Sequence, residues 1–344
     1  MSARRALSLE AWVGLYLVLY LPNVMLTRYV TQVPHAVLGR PLTGLETLPA
    51  TLIFNWLLTY LFIWLSGWHR DANAVKIGGF RVPCPTWMTF LSGIGTALVL
   101  FTVPLSFTFE GVSIPFIQLI MRGDVLIIAP IVDLMFGRKV RWWSWVALAM
   151  VMAALIITLY DRGGLYLPPI AILTVVLYTL GYFIRLAVMN RISKDGDPAS
   201  VRRYFVEEKM IALPLSVAAL AAVSASGIGG QAGQLTFGFV GVWSDGVILP
   251  LFLIGLTLAM IGVVAIVILL DANENAYCVA LERAASLVAG IGGSVLLAWM
   301  FSQPMPRPAE LAGAAILIAA IVLLSLAPRH AARRAAQRAV VETP

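Results

Sequence analysis

Residues 109–161, FEGVSIPFIQLIMRGDVLIIAPIVDLMFGRKVRWWSWVALAMVMAALIITLYD, lie over residues 273–328, NENAYCVALERAASLVAGIGGSVLLAWMFSQPMPRPAELAGAAILIAAIVLLSLAP, at a shift of about 165 residues. Each stretch opens at an acid (Glu110, Glu274) and runs on as a long apolar helix interrupted by an arginine (Arg122, Arg283). Each then reaches a phenylalanine before a short polar turn (Phe136, Phe301) and ends in a second apolar helix. Apolar runs of this length, repeated with charge embedded in them, mark a two-fold repeat in a membrane protein.

The rest of the chain carries the same signal. Of its 344 residues 60% are hydrophobic and only 12% charged, with a mean hydropathy of +0.90, which suits a bilayer and not water. Apolar runs long enough to span recur at 11–27, 48–67, 86–106, 111–136, 142–160, 167–189, 209–226, 246–270, 274–302 and 308–328. The expectation is an all-α membrane protein with ten transmembrane helices. The polar connection from Asn190 to Lys209 divides them into two halves of five, residues 1–165 and 166–328, followed by a basic tail, 329–344. Five is odd, so the second half enters from the opposite side and the repeat is inverted. That plan suits alternating access around a site between the halves.

The net charge of +7 does not indicate nucleic acid, because the basic residues sort by loop. Arg70, Lys76, Arg81, Arg138, Lys139, Arg141, Arg191, Lys194, Arg202 and Arg203 share one side with the termini, whereas Arg28, Arg40, Arg162 and Arg307 fall on the other. The positive-inside rule then places both termini in the cytoplasm. The connections at 28–47 and 227–245 are expected outside, as caps or gates. Arg4 and Arg5 precede a first helix without a cleavage site. Cys84 and Cys278 lie in unrelated segments, so no structural disulfide is expected. His35, His69 and His330 fall outside the spans, no metal-ligand spacing occurs, and no cofactor is implied. The glycines at Gly227, Gly229, Gly230 and Gly233 follow no strand and are not a nucleotide loop. The tail with Arg329, Arg333, Arg334 and Arg338 reads as a basic helix on anionic headgroups or as a solvated anchor.

Ionisable groups deep in a membrane are costly, and each needs a partner or a cavity. Arg122 and Asp124 sit near the middle of their run but point to opposite faces, while Gln118 shares the face of Arg122 and offers an amide beside the guanidinium. In the run 274–302, Glu282, Ser286, Gly290 and Ser294 recur at four-residue spacing beside a stripe of Ala285, Ala289 and Gly293. The stripe suggests close helix packing. For Glu282 and Arg283 the alternatives are a cavity lining and an inter-helix ion pair, for example Asp124 with Arg283. Arg185 is expected to snorkel to the headgroups. Asn23 and Asn55 suit either a solute or an inter-helix hydrogen bond. Trp142, Trp143 and Trp145 read as interfacial anchors.

The repeated helix pairs, Gly111 to Asp161 with the turn Phe136-Gly-Arg-Lys-Val140 and Glu274 to Leu326 with Pro304-Met-Pro306 before Glu310-Leu-Ala-Gly313, resemble the drug/metabolite transporter superfamily in its ten-helix EamA-like form. The resemblance implies a carrier and not an enzyme. It would export or exchange a small polar organic solute by alternating access, in the bacterial cytoplasmic membrane. Phosphate and nucleotide-sugar translocators of that superfamily place a basic residue in the fourth span and a Lys-Arg pair early in the ninth. Here the pair position reads Glu282-Arg283, and Arg122 stands near the fourth-span position. Glutamate in place of lysine favours a zwitterion or singly charged anion over a dianion. The expected substrate-binding set is Arg122, Gln118, Asp124, Glu282, Arg283, Ser286 and Asn55. A flippase for lipid or lipid-linked headgroups and a phosphorylated-metabolite antiporter remain as alternatives, and the partners are membrane lipids and a second copy of the chain.

Overall fold

The computed structural model describes residues 8–35, 37–77, 80–106, 142–161, 169–192, 197–227, 229–243, 246–271, 275–301 and 305–342, and singly Ile117, Ile120, Met121, Gly123, Ile131, Leu134 and Met135. Ten helices are assigned among them: α1 (Leu9–Gln32), α2 (Gly44–Leu65), α3 (Trp87–Ser106), α4 (Trp142–Asp161), α5 (Pro169–Ile192), α6 (Pro198–Ser226), α7 (Gly229–Val240), α8 (Ile248–Leu269), α9 (Asn275–Phe301) and α10 (Pro308–Glu342). Six stretches are long and apolar enough to cross a membrane: Leu9–Gln32, Gly44–Leu65, Ala171–Ile192, Pro198–Ser226, Ile248–Leu269 and Leu281–Phe301. Large apolar side chains such as Leu57, Trp64, Ile156 and Trp299 are exposed around them, as lipid-facing surfaces require. The molecule is a helical, multi-pass membrane protein.

Local sequence explains the helix ends. Thr43 and Glu46 form a reciprocal capping box at the start of α2, with Thr43 Oγ1 accepting from Glu46 N (3.2 Å) and Glu46 Oε2 accepting from Thr43 N (2.8 Å). Asp197 caps α6 by accepting from Ala199 N (3.1 Å), and Pro198 occupies the first helical position, where its missing N–H costs nothing. Helix α6 therefore starts well before the expected span at 209–226. Glu207, Glu208 and Lys209 belong to its buried wall, not to a polar connection.

Three further differences are local. The connection between α2 and α3 holds a two-stranded antiparallel hairpin, β1 (Ala74–Ile77) and β2 (Phe80–Pro83), among described elements that are otherwise helical. The expected outer cap at 227–245 contains α7. The basic tail continues α10 without a break instead of forming a separate helix.

Helices α3 and α5 meet backbone to backbone. A Cβ on Gly95 would come within 2.7 Å of Gly181 O, and one on Gly181 within 2.6 Å of Gly95 O, so the two backbones touch where neither can carry a side chain. Helix α3 also packs on α6, α1 on α8 and α9, α2 on α6, α7 and α8, and α4 on α10. The small stripe of α9 behaves as expected: Ala285 and Ala289 are buried with Tyr16, Tyr20 and Val24 of α1, and Gly293 faces Val24 and Met25. Trp142 and Trp145 are exposed, but Trp143 is buried against the α4–α10 contact.

Candidate functional site

A cavity of about 130 Å³ opens between α1, α2, α3, α5, α6, α8 and α9. Most of its wall is apolar or threonine, and its charged groups are Arg185, Lys209, Glu282 and Arg283. Each reaches it by a different local route.

Helix α9 brings Glu282 and Arg283 together, 3% and 1% exposed. Arg283 is held from α5: Nη1 donates to Tyr178 OH (2.8 Å), Nη2 donates to Tyr182 OH, and the guanidinium carbon lies 4.3 Å from the centroid of the Tyr182 ring. Glu282 is held from α1, where Tyr16 OH donates to Oε1 (2.7 Å). Arg283 Nη2 is also 2.9 Å from Glu282 Oε2, but neighbours about 100° apart on a helix meet at a poor angle. The contact is ionic without hydrogen-bond geometry. It leaves Glu282 Oε2 and Arg283 Nε with no hydrogen-bond partner among the described residues.

Arg185 does not snorkel. Helix α5 continues to Ile192, which places Arg185 about two turns inside, and the residue is only 6% exposed. Its Nε donates to Glu208 Oε1 (2.8 Å) and its Nη2 to Glu208 Oε2 (3.4 Å). A buried counter-charge replaces the headgroup region. Glu208 is fully buried and also accepts from Thr96 Oγ1 (2.6 Å), Tyr204 OH (2.9 Å) and Ser92 Oγ (3.2 Å). The next residue, Lys209, is 5% exposed, and its Nζ lies 3.6 Å from Glu208 Oε2, beyond a good hydrogen bond. Its remaining neighbour of note is the Phe205 ring, 5.7 Å from Nζ to centroid.

The described charges of this cluster do not cancel. Arg185, Lys209 and Arg283 face Glu208 and Glu282, so one positive charge is left over when all are ionised. The good donors of Glu208 gather on Oε1, while Oε2 has only Arg185 Nη2 at 3.4 Å and Lys209 Nζ at 3.6 Å, so Lys209 is the least tightly held of the three described cations.

The other expected residues divide. Arg122, Gln118 and Asp124 lie outside the described residues, as does the suggested pair of Asp124 with Arg283. Ser286 donates to Arg283 O (2.9 Å) within its own helix and does not line the cavity. Asn55 accepts from Thr59 Oγ1 (3.1 Å), also within its helix and away from the cavity. Asn23 does line the cavity, with its amide donating to Ile254 O (3.2 Å) and Thr257 Oγ1 (2.8 Å) across to α8.

Sequence reasoning overlooked Lys209, Glu208 and the tyrosines. Two signals point to them: the Asp197-Pro198 helix start, and the spacing Tyr16-x-x-x-Tyr20-x-x-Asn23, which recurs as Tyr178-x-x-x-Tyr182-x-x-Arg185. Both tyrosine pairs meet ring to ring, at 5.4 Å and 4.8 Å between centroids.

At the N-terminal end of α2, one turn before the cavity-lining Thr47, the two expected outer connections meet. Arg40 forms a paired salt bridge with Glu46 (2.8 Å for both Nη–Oε contacts) and lies over Phe237 of α7, while Thr43 Oγ1 donates to Gln234 Oε1 (3.0 Å). These contacts strap the connection before α2 to α7.

No family model and no curated protein matches the chain. A solved structure titled only as the crystal structure of a protein superposes with a TM-score of 0.50 at 14% identity, over 94% of this chain and 98% of its own. That likeness concerns the fold alone.

Proposed function

We propose that the chain is a ten-span carrier of the drug/metabolite transporter type, moving a small, singly anionic organic solute by alternating access. The observation that carries this reading is a small buried cavity at which the described charges, Arg185, Lys209 and Arg283 against Glu208 and Glu282, leave one cation over. Each charge in the bilayer interior costs about 2.5–3.5 kcal/mol on insertion scales, so an unmatched one argues for a mobile counter-charge. A cavity of about 150 Å³ holds benzene in an engineered protein. The present volume thus suits a solute of a few non-hydrogen atoms, far smaller than a nucleotide.

The inverted plan has support in the packing. Let α1 correspond to α5, α2 to α6, α3 to α8 and α4 to α10. The contact of α3 with α5 then maps onto that of α8 with α1, and α3 with α6 onto α8 with α2. The contacts of α2 with α6 and of α4 with α10 map onto themselves. The register that matches Tyr16 with Tyr178 also matches Gly93 with Gly255. A Cβ on Gly93 would meet Ile211 Cβ at 2.6 Å and Glu208 O at 3.2 Å; one on Gly255 would meet Phe54 Cβ at 2.5 Å and Thr51 O at 3.0 Å. In both places a glycine seats against a carbonyl and the side chain three residues further on.

In this reading Lys209 and Arg283 Nε receive the carboxylate, Glu282 Oε2 receives a hydroxyl or amino group of the solute, and the strap over α2 is one gate. Arg122 is the corresponding candidate in the span 111–136. A thermal-shift panel on the purified protein tests the solute class. Small monocarboxylates should raise the melting temperature most, and Arg283→Ala should erase the response. Stabilisation by nucleotides or sugar bisphosphates, without any by monocarboxylates, would overturn it.

A further inference from the structure

Resting on the carrier reading and deepening it, we infer that the solute is a short 2-hydroxy monocarboxylate, with Glu282 selecting its hydroxyl. Two buried polar atoms at the cavity are left without a hydrogen bond. Tyr16 OH donates to Glu282 Oε1 (2.7 Å), while Oε2 has the charge of Arg283 beside it but no donor among the described residues. Arg283 gives Nη1 to Tyr178 and Nη2 to Tyr182, and its Nε has no acceptor there. Both side chains are almost wholly buried, and both line the cavity. A buried acceptor without a donor and a buried N–H without an acceptor are each costly, so a solute that brings both partners at once is favoured twice.

The spacing says where the solute carries them. Nε and Nη2 belong to one rigid, planar guanidinium, and Nη2 stands 2.9 Å from Glu282 Oε2. The solute's acceptor and donor must therefore lie close together, as a carboxylate and a hydroxyl on the adjoining carbon do. A cavity of about 130 Å³ admits only a short carbon chain. An ionised carboxylate only accepts, so Glu282 Oε2 turns away a 2-oxo group and gains nothing from an unsubstituted acid. A 2-amino acid has a donor, yet its ammonium cancels its own carboxylate. Arg185, Lys209 and Arg283 against Glu208 and Glu282 leave one cation over, which a hydroxy-acid anion matches and a zwitterion does not.

Isothermal titration calorimetry of the full-length protein in detergent at neutral pH, with lactate, propionate, pyruvate and alanine, tests this. Lactate should bind about ten- to a hundred-fold more tightly than propionate, as one hydrogen bond to a charged group implies, and pyruvate and alanine no better than propionate. In Glu282→Gln the new carboxamide can donate as well as accept, so the ratio of lactate to pyruvate affinity should fall to about one or below. The added positive charge acts alike on both anions and leaves that ratio untouched. Equal binding of lactate, propionate and pyruvate by wild type, which needs no variant to fold, would overturn the inference and leave a monocarboxylate carrier in place. Alanine binding more tightly than lactate, or a lactate preference unchanged in Glu282→Gln, would also overturn it. Binding of none of the four would defeat both readings. Uptake of labelled lactate into proteoliposomes separates them further: selective binding without flux above empty vesicles would uphold the selectivity of the site and defeat the carrier.

Discussion

Glu208 receives Arg185, Thr96, Tyr204 and Ser92 at one carboxylate and has Lys209 beside it, so the cavity's cations depend on a residue that does not itself line it. Replacing it with glutamine removes the buried counter-charge of Arg185, a change of the kind that costs about 3–5 kcal/mol. A large fall in melting temperature in detergent checks this, and Asn55→Ala, which removes only an intrahelical acceptor, should fall far less. Tyr182→Phe deletes one hydrogen bond to a charged group and should cost about 1.5–3 kcal/mol. Glu282 and Arg283 were legible in the sequence because charge stands out inside an apolar run. Lys209 was not, because Glu207 and Glu208 precede it and make the stretch read as a solvated connection. Arg185 was misplaced because its counter-charge comes from another helix, and no local pattern records that proximity.

Apolar runs announced most helices, since lipid requires an unbroken apolar surface of about twenty residues. Elements held by a few polar contacts were silent. The hairpin between α2 and α3 is fastened to α6 by Glu207, whose Oε1 accepts from Asn73 N (3.0 Å) and Nδ2 (2.8 Å) and whose Oε2 accepts from Thr89 Oγ1 (2.8 Å). Helix–helix seams give a sharper test. A Cβ on Gly95 would strike a backbone carbonyl that cannot swing away, so Gly95→Ala should destabilise by about 1–3 kcal/mol. Gly14 meets no heavy atom within 4 Å of its would-be Cβ, and Gly14→Ala should be neutral or mildly stabilising. Comparing the two melting temperatures in one detergent separates packing from helix propensity. Removing the α6 cap with Asp197→Ala should cost about 1 kcal/mol.

At the scale of the whole molecule, glycines mark the close seams between the described helices: Gly95 against Gly181, Gly93 against α6 and Gly255 against α2. Apolar length and recurring arginines are what the sequence offers for the proposed repeat, while the tyrosine pairs and facing glycines became meaningful only once the helices were packed. If the halves rock about those glycine seams, the cavity must face each side in turn. Thr51 lines it from α2 and can become cysteine with little change of shape. In a background of Cys84→Ser and Cys278→Ala, this single cysteine should react with a membrane-impermeant thiol reagent added from either side of sealed vesicles. A bound monocarboxylate should slow both reactions. Labelling from one side only, unchanged by any solute, would contradict alternating access through this cavity.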